Sequence, residues 1–207
     1  MTMVKYPLTS KEHQQLDDVW DFLEIFKINY IPSFQFGEFF DEVVFPLVLK
    51  SKRHIKNYPH LTKVTTQEEL TSILSRIPHP EKFYWEKFTP YDREFRIHMS
   101  HYKHSDVFST EKILRRDRVR GWIRNKESCV FKTKFDRPNE WVDILDSCRR
   151  VLDKTDLDIA GFDVAYDTTT GRHYIIEVNT ACGMGDNTRR AYTKELNRIA
   201  IIKHFGL

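Results

Sequence analysis

Apolar positions along the chain recur at helical spacing in some stretches and at strand spacing, or in short apolar runs, in others. From Ser10, which can cap a helix, to about Lys27, the residues Leu16, Val19, Trp20, Leu23 and Phe26 fall on one face. Asn29–Gly37, with Pro32 and Gly37, breaks that pattern, and Glu38–Glu42 suits one more helical turn. The run VVFPLVLK, Val43–Lys50, is short, apolar and partly β-branched, as a buried strand is, with Pro46 at its start or on an edge. Leu61–Thr65 is a second strand candidate, and Thr66 and Glu69 form a capping box for a helix over Gln67–Arg76. Phe83–Phe88, Arg93–Met99, Val107–Leu114 and Ser128–Thr133 read as further strands. Pro138 suits the first turn of a helix whose stripe is Trp141, Ile144, Leu145, Cys148, Val151 and Leu152. Ile159–Tyr166 and His173–Val178 are strands around a turn at Asp167–Gly171, and a last helix is expected from about Asn187 to Lys203. Helices alternate with strands of antiparallel character, so the expected class is α+β.

Composition sets bounds on this picture. The chain has 207 residues, 40% hydrophobic and 14% aromatic, enough apolar material for a core in one large domain or two small lobes. A net charge of +3 is too small to imply nucleic acid by itself and suits an anionic ligand such as a nucleotide equally well. Cys129, Cys148 and Cys182 are well separated and give neither a zinc pattern nor a disulfide framework. With no apolar leader and no run long enough for a membrane helix, the expectation is a soluble cytoplasmic protein, with no membrane partner.

Chemistry concentrates in the hairpin. One strand reads AGFDVAYD and the next YIIEVNT. Glu177 and Asn179 are two apart and share a face, while Asp163 lies within the preceding apolar strand. A polar face on a strand is often simply solvated, but a carboxylate in an apolar strand is costly unless paired or metal-bound. Three oxygen-bearing side chains from paired strands suit magnesium, with manganese as the alternative. His98, His101 and His104 are regularly spaced but read as polar loop and surface residues rather than a zinc site. Trp20, Trp85 and Trp141 read as core.

The order G-F-D-V, hairpin, I-I-E-V-N-T resembles the metal-binding end of ATP-grasp enzymes. FPLVLK resembles the family's strand with a phosphate-binding lysine, here Lys50, and Lys11 resembles the earlier lysine near the nucleotide. FYWEKFTPYDREFRIHM resembles the hinge strand and its successor. The resemblance implies that Glu86, Lys87 and Phe88 line the adenine pocket, that Glu94 binds the ribose hydroxyls, and that Arg96 shares its face. KILRRD followed by GWIRN resembles the stretch that places Arg124 and Asn125 on the γ-phosphate and substrate in amino-acid ligases of the family, with Arg115 and Arg116 as ambiguous additions. ACGMGDNT, with Gly183 and Gly185, resembles the loop that closes the acceptor site.

The resemblance implies two α+β lobes, 1–88 and 89–207, sandwiching a nucleotide. It also implies ATP and Mg2+ as cofactors, Asp163, Glu177 and Asn179 as metal ligands, and ligation of a carboxylate to an amine through an acyl phosphate. The acceptor is a small molecule, a peptide or a protein. Two features depart from the family. SKRHIKNYPHLTK follows Lys50 without a glycine, leaving Lys52, Arg53, His54 and Lys56 either to clamp phosphates by charge or to form a solvated loop. About ten residues precede the first helix, so the acceptor is held by the remaining lobes, by a second subunit in a homodimer, or by its own surface. The alternatives are a small-molecule kinase of the same fold, an inactive ATP-binding module and, on the basic tract from Lys112 to Lys134, a nucleic-acid-modifying ligase.

Overall fold

The computed structural model describes residues 33–35, 45–51, 61–77, 83–118, 124, 127–155, 157–179 and 185–206. The helix expected over Ser10–Lys27, the turn at Glu38–Glu42, the basic loop after Lys50, and Lys11, Asn125 and Gly183 lie outside them. The described residues fall into two compact units, one within 31–90 and the other from 91 onward.

In the first unit, β1 (Ser33–Gln35), β2 (Leu47–Ser51), β3 (Leu61–Val64) and β4 (Phe83–Lys87) form an antiparallel sheet in the order β1-β4-β2-β3. Leu47 and Leu49 alternate with Val48 and Lys50, and turn toward α1 (Gln67–Leu74), where they bury Val64, Leu70 and Ile77. The helix starts where its cap predicts. Thr66 Oγ1 accepts from the Glu69 N–H at 3.2 Å, while the Glu69 carboxylate reaches back to the Thr65 N–H at 2.7 Å. β1 corrects the sequence reading, which took Asn29–Gly37 only as a break. Three residues between Pro32 and Gly37 are too few to show an alternation, and the strand exists because β4 offers it an edge.

Among its described residues, the second unit is a five-stranded antiparallel sheet, β7-β6-β5-β8-β9, with two α-helices. Its elements are β5 (Arg93–Ser100), β6 (Phe108–Leu114), β7 (Cys129–Lys132), α2 (Trp141–Leu152), β8 (Ile159–Asp167), β9 (Arg172–Asn179) and α3 (Asp186–Phe205). Phe95, Ile97 and Met99 of β5 and Phe162, Val164 and Tyr166 of β8 all turn to one face, where the α2 stripe Trp141, Ile144, Cys148, Val151 and Leu152 covers them. α2 begins later than expected. Pro138 precedes it, and its carbonyl accepts the Trp141 N–H at 3.1 Å in a turn that leads into the helix. The β8–β9 hairpin turns on Asp167, whose carboxylate accepts from the Thr169 N–H at 2.9 Å and the Thr170 hydroxyl at 2.8 Å. Gly171 closes the turn at φ 68°, where a side chain would be strained and would approach the Glu140 carboxylate.

α3 lies against the opposite face, and its contacts correct the reading of His98 as a surface residue. His98 is buried, its Nδ1 2.8 Å from the Tyr192 hydroxyl. His101 and His104 are exposed, as expected for the loop after β5. Burial, reinforced by Arg96, pushes the His98 pKa down from 6.5 to about 4. The folded protein therefore holds His98 neutral where the unfolded chain would protonate it. The resulting stability is complete above pH 6.5 and drains away as the pH falls toward 4. The expected loss is about 3 kcal/mol. Urea unfolding of the wild type and of His98→Gln between these limits checks it: the wild type should show the steeper pH slope, and equal slopes would remove His98 as the cause.

Among the described residues no helix is long and apolar enough to cross a membrane.

Candidate functional site

On the α3 side of the second sheet, the polar positions of three strands converge. Glu94 and Arg96 alternate with core residues on β5, and Arg96 pairs across β8 with Asp163. Asp163 pairs in turn with Glu177 on β9, and Gly161 pairs with Asn179. The register thus brings Arg96, Asp163, Glu177 and Asn179 onto one face. An irregularity follows directly: the pairing shifts between Asp163 and Val164, leaving Ile176 as the extra residue of a bulge.

Lys112, on β6, completes the group. Its ammonium donates to Glu94 Oε1 at 2.6 Å and to Asp163 Oδ2 at 2.7 Å. Arg96 grips both oxygens of Asp163, Nε to Oδ1 and Nη2 to Oδ2, the latter at 2.6 Å. Tyr91 donates to the second oxygen of Glu94 at 2.7 Å. Glu94, Lys112 and Asp163 are each no more than 3% exposed, so these are desolvated charges that depend on one another.

Their environments differ in sign. Burial pushes Asp163 up, but Lys112 and Arg96 together overcome it and hold the carboxyl below the usual carboxylate range. Glu94 has one cation rather than two, and burial wins over Lys112, raising it. Burial disfavours the Lys112 ammonium, yet Asp163 and Glu94 outweigh that and raise it. Burial, then Glu94, raises the Tyr91 hydroxyl, which remains a donor.

Arg124 is joined to this group through the backbone. Its guanidinium donates to the Lys112 carbonyl at 3.1 Å and the Asp92 carbonyl at 2.7 Å, and stands 5.6 Å from the Tyr91 ring centre. Arg115 and Arg116 are exposed. In the first unit, Lys50 is buried on β2, Glu86 and Lys87 lie on the adjacent β4, and Lys87 is exposed. The Phe88 N–H donates to the Pro46 carbonyl at 2.9 Å, and the Lys63 ammonium lies 3.6 Å over the Phe88 ring centre.

Sequence reasoning missed Lys112 and Tyr91. Lys112 opens a run of basic residues and reads as solvated. Only the alternation STEKIL, which puts Thr110 and Lys112 on one face, hinted otherwise.

Among the described residues no three His, Cys, Asp or Glu side chains cluster as a self-sufficient metal site. Two carboxylates and an amide on one face fit magnesium as part of a nucleotide complex, in which phosphate oxygens and water supply the remaining ligands. A separate groove of about 510 Å³ runs between the hairpin turn and the start of α2, lined by Arg93, Arg137, Glu140 and Tyr166, and none of the expected site residues lines it. Its arginines are committed, Arg93 to Glu111 at 2.7 Å and Arg137 to Asp106 at 3.2 Å.

No family model matches the chain, and no curated protein does. Solved structures do. A D-alanine–D-alanine ligase from Bacillus anthracis in complex with ATP matches at 15% identity and a TM-score of 0.62, over 84% of this chain and 57% of that one. An L-amino acid ligase from Bacillus licheniformis matches at 16% identity and a TM-score of 0.61, over 81% of this chain and 40% of that one. A carboxyaminoimidazole ribonucleotide synthase from Aspergillus clavatus complexed with ATP matches at 14% identity and a TM-score of 0.62, over 84% and 46%. The chain has the α+β ATP-grasp fold. Within that fold it resembles ligases, and it spans about half the length of these three, 40% to 57%.

Proposed function

We propose that the chain is an ATP-dependent ligase that joins a carboxylate to an amine through an acyl phosphate. The observation that carries the reading is the buried group of Glu94, Arg96, Lys112 and Asp163, set beside Glu177 and Asn179 on one sheet face of an ATP-grasp fold. Two cations and an array of hard oxygens on a rigid sheet suit a triphosphate and its metal.

In this reading the lobes are 1–88 and 89–207. Lys11, Lys50 and Arg96 bind phosphates, 86–88 contacts the adenine, and Glu94 takes the ribose hydroxyls. Asp163, Glu177 and Asn179 hold magnesium, or manganese, which when bound neutralises and orients the phosphates. An oxygen of the substrate carboxylate attacks the γ-phosphorus and ADP leaves. The amine nitrogen then attacks the acyl carbon, phosphate leaves, and the amine gives up its proton. Arg124 and Asn125 steady the charge on the transferring group. The chain's part is positioning and charge stabilisation, without a protein nucleophile.

Isothermal titration with a non-hydrolysable ATP analogue, with and without magnesium, tests the reading. Magnesium-dependent binding that is lost in Lys50→Ala is the expected result, and absence of binding in both conditions overturns it. ADP release with a stable phosphorylated product and no need for an amine would indicate the kinase instead.

A further inference from the structure

Lys112 holds a position that neither the expected nucleotide contacts nor the expected metal ligands include. Its ammonium has three donors. They go to Glu94 Oε1, to Asp163 Oδ2 and, at 3.4 Å, to the Arg124 carbonyl. Arg96 takes both oxygens of Asp163 from the other side. Of the roughly four lone-pair directions on a carboxylate, three on Asp163 are therefore occupied.

We propose that Lys112 is the resident cation of this site, standing where a divalent ion would otherwise bind Asp163, so that metal is admitted only together with the nucleotide. The inference rests on the proposed function for the nucleotide and on the geometry alone for the lysine.

The argument is one of charge. Glu94, Asp163 and Glu177 bring three negative charges to this face, and Arg96 and Lys112 bring two positive ones. A dication reaching Asp163 without a nucleotide finds a net charge of only about minus one, and two cations within hydrogen-bond reach of its ligand. Low dielectric around these buried groups sharpens that repulsion. A triphosphate changes the balance, because its oxygens are better partners for Lys112 and Arg96 than one shared carboxylate. The ammonium changes partners more readily than the guanidinium does. Lysine is a point charge on a flexible stem, whereas the Arg96 fork is fixed by its two-point grip on Asp163.

Electron paramagnetic resonance of Mn2+ titrated into the full chain reads this directly, since the free-ion signal falls as the ion binds. The informative variant is the double substitution Glu94→Gln with Lys112→Met. It removes one buried charge of each sign and leaves Asp163 paired with Arg96, and a melting curve near that of the wild type verifies the fold. Without nucleotide, the double variant should bind Mn2+ at least about tenfold more tightly than the wild type. Lys112→Arg, which keeps the charge, should bind Mn2+ without nucleotide as weakly as the wild type does. Adding the ATP analogue should tighten Mn2+ binding to the wild type by at least about tenfold through linkage. Equal Mn2+ affinity in wild type and double variant overturns the inference. So does tight Mn2+ binding to the nucleotide-free wild type, a result that does not depend on any variant folding. If the analogue binds but the nucleotide-free affinities do not differ, the role of Lys112 falls and the ligase reading stands. If the analogue fails to bind while the double variant gains Mn2+, the ligase reading falls and the role of Lys112 stands.

Discussion

Asp163→Ala should cost about 3–5 kcal/mol of folding stability, the largest loss expected from any single substitution at this site. The loss comes from what stays behind. Arg96 and Lys112 both spend hydrogen bonds on Asp163, and Lys112 is buried to 3% exposure. Without the carboxylate, two cations are left on a desolvated sheet face, with Glu94 still paired to Lys112. Asp163→Asn should cost less, because the amide keeps the shape and one acceptor. Asp163→Leu combined with Lys112→Met removes one charge of each sign and should cost less than Asp163→Ala alone, since replacing both members of a buried pair is commonly tolerated. Urea unfolding of the four proteins checks the order. A loss below about 1 kcal/mol in Asp163→Ala would mean that water reaches the cations and that the group is not a closed one.

That group shows where the sequence stopped being informative. The hairpin strands, the α2 stripe and the α1 cap rest on contacts a few residues apart, and such contacts leave periodic or positional marks. α3 spans Asp186–Phe205 against an expected 187–203, a difference of the size that fraying ends produce. Glu177 and Asn179 share a face because strands alternate, which needs no knowledge of the rest of the fold. The partners of Asp163 are another matter. Arg96 lies 67 residues away and Lys112 lies 51 away, and only the β6-β5-β8 order and register bring them together. A lysine in a basic tract and a lysine buried between two carboxylates look the same until that register is known. The same holds for His98, whose burial depends on α3 folding back over β5 nearly a hundred positions later. β1 is the reverse case, a strand with almost no local signal that the neighbouring edge of β4 makes a strand.

Glu177→Gln separates function from stability as Asp163→Ala cannot. Glu177 is exposed although its backbone pairs directly with that of Asp163, and exposed charges contribute little to stability. The substitution keeps the shape and removes the negative charge, and the melting temperature should scarcely move. In the ligase reading Glu177 is a metal ligand, and losing its charge should weaken the magnesium-dependent part of ATP-analogue affinity and any coupled ADP release by at least about 100-fold. Titration of the analogue with and without magnesium isolates that part, because the magnesium-free affinity should remain near the wild-type value. Unchanged magnesium dependence in a folded Glu177→Gln protein would refute the metal assignment. It would return the exposed oxygen at this position to what an alternating strand supplies by default, a solvated polar face.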